Sequence, residues 1–314
     1  MIETLETNGK LNILFLTKNF ENRMEKSSKY LADELSEYAF LVQYGEDGNI
    51  HEILAKLGFT PDFILLNDFK YDYCPFVWGF ADLGIPVGAI VHDIKYKLKH
   101  RKNFYEKENI RYLFTHYRNA SYNYLPEFRE RFIWTPHHVP TDIFYDYQLE
   151  KEIDFLMIGA IFPKLYPERV KMLEIMQREK GFVYFGHPGY KDLSGKEAVL
   201  IGEAYAKQLN KAKIFLTCDS VEHFPLMKYF EALASNTLLL ASASDELTEL
   251  GFVDGETFVS VTSDNVREKA LYFLENEQER RAIAQAGFEM VNSRHTTEKR
   301  AKELLKKIEE IVTK

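Results

Sequence analysis

Cysteine is almost absent from this sequence: Cys74 and Cys218 are the only two in 314 residues, far apart and in no C-x-x-C pair. A disulfide-stapled scaffold and a cysteine zinc site are thereby excluded, and the expected setting is a reducing cytoplasm. Positive charge is in deficit as well. With 40 Lys and Arg against 48 Asp and Glu, the formal charge is −8, too acidic to displace counterions from a nucleic acid or to hold an anionic membrane. Any phosphate must be met locally, by a few residues. No apolar run approaches the roughly 18 residues of a membrane span, and the opening MIETLETNGK has neither the basic start nor the apolar core of a signal peptide. We expect a cytoplasmic chain with no nucleic-acid partner and no integral membrane segment. Familiar signatures are also missing. There is no G-x-G-x-x-G for a dinucleotide, no Walker loop, no G-x-S-x-G elbow and no H-E-x-x-H zinc helix. Transferases and binding proteins remain.

What is present is a large core. At 46% hydrophobic and 28% charged residues, the chain suits two domains of ordinary size. Leu11 to Thr17 is a nearly continuous apolar run, the pattern of a strand buried on both faces in a parallel sheet. It opens an alternation: a helix over 20–38, strands at 39–43 and 63–66 around a helix at 50–57, a strand at 87–91, a charged surface helix at 97–108, a strand at 112–115, a helix at 120–129 and a strand at 132–134. From Thr135 to Glu150 the periodicity stops and two prolines intervene, which marks a domain boundary. The alternation then restarts at Ile153 to Ile158, and the amphipathic stretch from Thr297 to Val312 reads as a docking helix. An α/β class with two doubly wound sheets follows.

Ligands of open α/β sheets lie beyond the carboxyl ends of the strands. That selects Thr17-Lys18-Asn19, Asn67-Asp68, His92-Asp93 and His116 in the first half, and Gly159-Ala160, Gly186-His187 and the run from Cys218 to His223 in the second. Both sets are expected to line one interdomain cleft. His137-His138 read as surface or cleft-edge histidines, since adjacent residues of an extended linker point opposite ways, so no metal is expected there. Tyr71, Tyr73 and Trp78 read as core aromatics with a sugar-binding surface as the alternative. The most informative stretch is HFPLMKYFEALAS, His223 to Ser235. With a helix starting near Pro225, Lys228 and Glu231 share a face, and the helix start suits a pyrophosphate. Helix physics alone leaves two readings: a solvated Lys/Glu pair, or an ammonium on phosphate with a carboxylate on ribose hydroxyls.

Several segments appear in an order that is itself informative: IDFLMIGAIFPKLYPER from Ile153, FGHPG from Phe185, the lysine-led strand at Lys213, MKYFEALAS from Met227, and ENEQERRAIAQAG with RHT toward the end. Together they resemble the C-terminal domain of the group 1 glycosyltransferases, and more narrowly the CgeB-type, spore-maturation branch, of GT-B fold. The first half is more loosely similar, through Pro61-Asp62, Ile85-Pro86 and TPHHVPTDIF. The resemblance implies two Rossmann-like domains facing across a cleft, residues 1–140 on the acceptor side and 141–314 binding a nucleotide sugar, with the terminal helices packing back. It implies a cytoplasmic hexosyltransferase that uses a UDP-type donor, needs no metal or other cofactor, and acts on a glycan, protein or small-molecule acceptor.

By the same likeness, Glu231 matches the second glutamate of the Glu-x7-Glu motif and would hold the donor ribose. Lys228 matches the nearby basic position, Arg169 and Lys164 are further diphosphate candidates, and Gly159 and Gly186 are donor-side turns. Glu222 would be the first glutamate, although eight residues rather than seven separate it from Glu231. His92 falls where such enzymes place a group that contacts the transferred sugar. Retention would need no protein nucleophile, whereas inversion would make His92 or Asp93 the general base. Two other readings are a non-catalytic nucleotide- or sugar-binding protein of this fold and an α/β sugar-phosphate or epimerase enzyme.

Overall fold

A computed structural model of the chain describes residues 9–187, 189 and 200–314. These form two compact units. The first ends one segment at Glu21, continues from Glu25 to Pro136 and takes in Thr297–Lys314, while the second comprises Asn22–Met24 and His137–Thr296. The division is therefore not a single cut in the chain.

In the first unit the elements run β1 (Asn12–Leu16), α1 (Ser27–Tyr38), β2 (Phe40–Tyr44), β3 (Gly48–Asn49), α2 (Ile50–Leu57), β4 (Phe63–Leu66), β5 (Val77–Trp78), β6 (Val87–Val91), α3 (Leu98–Lys107), β7 (Tyr112–Thr115), α4 (Arg118–Tyr124) and β8 (Phe132–Trp134). Six strands form a parallel sheet in the order β2-β1-β4-β6-β7-β8, and β3 pairs with β5 in a small parallel ribbon. β4 and β6 are buried along their whole length, as two-sided packing of a parallel sheet requires. α1 is shorter than the expected 20–38 helix. Asn19 Oδ1 accepts the Glu21 N–H and Glu25 Oε1 the Ser27 N–H, so side chains hold backbone donors that a longer helix would have used. Pro126 likewise ends α4 early and opens a 3-10 turn over Pro126–Arg131.

The second unit runs β9 (Ile153–Ile158), α5 (Pro167–Met176), β10 (Phe182–Phe185), α6 (Gly202–Asn210), β11 (Ala212–Leu216), α7 (Met227–Ala234), β12 (Leu238–Ala241), α8 (Asp245–Glu249), β13 (Val259–Ser260), α9 (Val266–Glu275) and α10 (Glu277–Arg294). Its five-stranded sheet has the order β10-β9-β11-β12-β13, all parallel. The last helix, α11 (Thr297–Val312), returns to the first unit. Its stripe of Ala301, Leu304, Leu305 and Ile308 joins Leu31 and Leu35 of α1 in the core, which is what its amphipathic pattern predicts. Each leucine or isoleucine so buried contributes roughly 2 kcal/mol. Among the described residues no helix is long and apolar enough to cross a membrane.

Each sheet has one point where the strand order reverses, between β1 and β4 in the first and between β9 and β11 in the second. The segments leaving these strand pairs diverge to opposite faces and open a crevice at their carboxyl ends.

Candidate active site

In the second unit Arg169, on α5, spans the reversal point. Its Nη1 donates to the Ala160 carbonyl at 3.0 Å and its Nη2 to the Cys218 carbonyl at 2.5 Å, tying together the chains that leave β9 and β11. The side chain is 1% exposed, its guanidinium lies 3.9 Å over the Tyr166 ring, and its Nε has no hydrogen-bond partner. Lys228, in the first turn of α7, reaches the same place, donating from Nζ to the Ile158 carbonyl at 2.9 Å. Gly159 sits between them at φ +145°. A Cβ there would lie 2.5 Å from Lys228 Nζ and 3.3 Å from Arg169 Nη1, so a side chain would displace the cation tips.

Two cations thus converge on one glycine turn, and their hydrogen bonds go to neutral carbonyls. Among the described residues neither belongs to an ion pair. Burial, and secondarily repulsion from Arg169, lowers the Lys228 ammonium to about 7, with Glu231 opposing the shift. The same two cations, after burial, hold His187 below its ordinary value. For Arg169, buried and in no ion pair among the described residues, the desolvation cost is several kcal/mol, and an arriving anion removes that penalty. The first turn of α7 contains no acidic residue and lacks a side-chain cap, so its N–H groups add to the positive field. One turn on, Glu231 bonds the Tyr205 hydroxyl of α6, and burial together with that carboxylate raises the tyrosine well above 10. Cys218 is no nucleophile, since burial pushes its thiol up to about 11.

Gly159, Arg169, Lys228 and Glu231 therefore share one neighbourhood. Lys164 is exposed on the loop after β9, and Gly186 is exposed just past β10. Glu222 is half-buried in the turn before α7, where its N–H donates to Ser220 Oγ at 3.2 Å. Next to it His223, at φ +56°, places Nδ1 2.9 Å from Asp219 Oδ2, and Asp219 in turn accepts from Ser242 Oγ at 2.7 Å. Tyr205 is not singled out by the sequence as a site residue, since it lies in the helical run from Ala204 without a signature of its own.

In the first unit the reversal point is a polar cluster. Asn67 Nδ2 donates to Thr17 Oγ1 at 2.9 Å, linking the ends of β4 and β1. Its Oδ1 accepts from Ser28 Oγ at 3.1 Å and lies 2.7 Å from His92 Nε2, so that nitrogen carries the proton. The His92 ring stacks on Tyr73 at 4.5 Å and lies 5.0 Å from His116. Burial, then the neighbouring His116, pushes His92 down to about 3. Below it Asp68, wholly buried, accepts the N–H groups of His92 at 2.9 Å and Asp93 at 3.0 Å and pairs with Arg101 Nη1 at 2.5 Å. Arg101 Nη2 also holds the Asp93 carbonyl. The Asp93 carboxylate faces Lys70 at 3.5 Å. The charged α3 is thus not all surface, because Arg101 and Tyr105 face inward.

Two expectations are corrected. His137 and His138 are 6% and 2% exposed, core residues rather than edge residues, with His137 set edge-on to Phe230. Tyr71 and Trp78, expected in the core, are exposed, while Tyr73 is the one that packs, on His92 and Phe20.

A family model described as glycosyl transferase-like matches residues 169–306, a span that contains Arg169, Glu222, Lys228 and Glu231. No curated protein matches the chain by sequence. Among solved structures, Anabaena Alr3699/HepE in complex with UDP-glucose superposes with a TM-score of 0.66 at 10% identity, covering 96% of this chain and 100% of that one. A glycosyltransferase from Rickettsia africae gives 0.61 at 12% identity over 97% and 99%. Sucrose-phosphate synthase from Thermosynechococcus elongatus gives 0.57 at 15% over 84% and 76%. The fold is that of the GT-B glycosyltransferases.

Proposed function

We propose that the chain is a glycosyltransferase of the CgeB-type branch that moves a hexose from a UDP-sugar to an acceptor, without a metal and with retention of configuration. The observation that carries this reading is the convergence of Lys228 and Arg169 on the Gly159 turn with carbonyls as their hydrogen-bond partners. A nucleoside diphosphate supplies the missing negative charge. The Anabaena protein of this fold was solved with UDP-glucose, in agreement with such a donor. The branch assignment rests on the sequence segments from Ile153, Phe185 and Met227.

In the transfer, the bond between the sugar C1 and the β-phosphate oxygen breaks, and an acceptor oxygen takes its place on C1. Charge grows on the departing diphosphate, where Lys228, Arg169 and the first N–H groups of α7 stabilise it, with Lys164 as an outer cation. Glu231, oriented by Tyr205, accepts from the ribose hydroxyls, and Glu222 serves the sugar. Gly159 and Gly186 let the backbone approach the donor. The acceptor proton passes to the leaving phosphate. Inversion would need a general base poised near neutrality; His92, near 3, is too weak, and the Asp93 carboxylate is engaged by Lys70 at 3.5 Å. His92 and Asp93 are instead assigned to contacts with sugar hydroxyls.

A thermal-shift series with UDP, ADP, GDP and UDP-glucose tests the reading. UDP and UDP-glucose are expected to raise the melting point of the wild type. Glu231→Ala should lose most of that shift, whereas Lys228→Ala should slow UDP release more than it weakens binding. A wild type that no nucleoside diphosphate stabilises would sink the assignment, and stabilisation without any UDP release would mark a binding protein of the same fold.

A further inference from the structure

We infer that the first unit binds a carbohydrate acceptor, an oligosaccharide seated in a cavity beside β1 and laid across an aromatic platform formed by Tyr71, Phe76 and Trp78. This rests on the glycosyltransferase reading and names its acceptor class. The cavity measures about 380 Å³, and its lining includes Thr17, Lys18, Asn19, Ser28, Gln43 and Tyr44. Together with the ammonium groups of Lys18 and Lys29, the carboxylates of Glu21 and Asp33 and the rings of Phe20 and Tyr44, these amides and hydroxyls meet the alternating donors and acceptors of a sugar. Its wall at Thr17 and Ser28 is the outer side of the polar cluster, since both residues bond Asn67, which also holds His92.

The platform continues from this cavity through Lys18. The Lys18 ammonium donates to the Gly45 carbonyl at 3.0 Å, lies 4.5 Å over the Tyr71 ring and sits 3.5 Å from Asp47. Asp47 anchors the aromatics. It accepts from the Tyr71 hydroxyl at 3.3 Å and from the Phe76 N–H at 2.9 Å, and Phe76 lies 5.6 Å from Trp78. Tyr71, Phe76 and Trp78 are 56%, 54% and 41% exposed. Three large exposed rings, two of them on residues tied to Asp47 and the third beside Phe76, mark a binding surface, and a pyranose offers them an apolar C–H face while its hydroxyl edge reaches the cavity. A membrane is a poorer occupant. Asp47 and Asp72 stand exposed among the rings, and the chain carries a charge of −8, so anionic headgroups would be repelled.

The fluorescence of Trp78 reads this surface, because Trp134 is the only other tryptophan. The full-length Trp134→Phe protein is titrated with maltotetraose, cellotetraose and chitotetraose, and separately with phosphatidylcholine/phosphatidylglycerol vesicles. Saturation-transfer NMR on the wild type with the same sugars guards against a misfolded variant. A saturable change with at least one sugar is expected, with Phe76→Ala weakening it about tenfold. If no tetrasaccharide binds while UDP still raises the melting point, the acceptor proposal falls and the donor reading stands. Sugar binding without any response to UDP makes the surface that of a lectin and overturns the acceptor role, as does a Trp78 response to vesicles alone.

Discussion

Lys228 Nζ and the Ile158 carbonyl oxygen are 2.9 Å apart although 70 residues separate them in sequence. Helix spacing alone would pair this lysine with Glu231, three residues on, yet Glu231 turns to Tyr205 and the ammonium folds back to the end of β9. The cation is thereby half-buried and aimed at the strand reversal point, where Arg169 already lies. Neither residue forms an ion pair among the described residues, and Glu231, whose charge reaches Lys228, is bonded to Tyr205, so the two cations keep a positive field for a phosphate.

The first consequence is a pH dependence of nucleotide affinity. Since the Lys228 ammonium is lowered to about 7 by burial and by Arg169, the unliganded site carries that charge below neutrality and loses it above. A diphosphate favours the charged form, so binding at higher pH must take up a proton, and UDP affinity should fall by up to about tenfold per pH unit from pH 7.5 to 9. Calorimetry in two buffers of different ionisation enthalpy will show the uptake directly. Lys228→Met should bind UDP more weakly and with no such slope. A wild-type affinity that stays flat from pH 6.5 to 9 would remove Lys228 from the site.

Gly159→Ala should separate binding from folding. The backbone there, at φ +145°, resists a side chain, at a cost of about 1–3 kcal/mol. The new Cβ would fall 2.5 Å from Lys228 Nζ, and because that atom is the tip of a flexible chain it will move and leave the carbonyl of Ile158. Urea unfolding should therefore show a modest loss of stability, and UDP affinity a drop of about tenfold or more as a charge-assisted contact is lost. Unchanged affinity in a destabilised variant would mean that the turn serves geometry alone.

The strands were legible because each is a short apolar run that only a doubly covered parallel sheet can bury, and β4, β6, β7, β8 and β9 fall where the pattern puts them. Their carboxyl ends single out Gly159, Asn67 and His92 from the pattern alone. Directions of long side chains were not legible. Arg101 lies in a helix so charged that no buried face stands out, and only the tertiary position of Asp68 draws it in. Trp78 and Tyr71 look like core residues by composition, but Trp78 sits on a ribbon of two-residue strands and Tyr71 in the turn that precedes it, and both are exposed. His137 and His138 depart from the pattern for the opposite reason, since a linker without periodicity can still be packed.

Asp68→Asn tests how the His92 turn is held. Asparagine keeps the shape and tolerates the positive φ of 79° at this position. It nevertheless leaves the Arg101 guanidinium, 0% exposed, without its counter-charge, and weakens the acceptor for two consecutive backbone N–H groups. The expected loss is about 3–5 kcal/mol in urea unfolding. Adding Arg101→Met should return part of it, a coupling that a double-mutant cycle measures. A single-variant loss below about 1 kcal/mol would show that the pair is not what fixes the turn.

Two histidines of the first unit, His92 and His116, make its stability depend on acid. Burial pushes His92 to about 3 and His116 to about 4, from 6.5 in an unfolded chain. Between those values the unfolded chain binds protons that the folded one refuses. The stabilisation is complete above pH 6.5 and drains away as the pH falls, at about 1 kcal/mol per pH unit for each ring that must stay neutral. Urea midpoints measured from pH 7 to 4.5 should therefore decline, and His92→Gln should flatten the decline even if it lowers the starting value. Ring-proton NMR gives the independent reading, with neither histidine titrating between pH 5 and 8. Were His92 to titrate near 6.5, it would be basic enough to take a proton from an acceptor hydroxyl, and the argument for retention drawn from its weakness would fail.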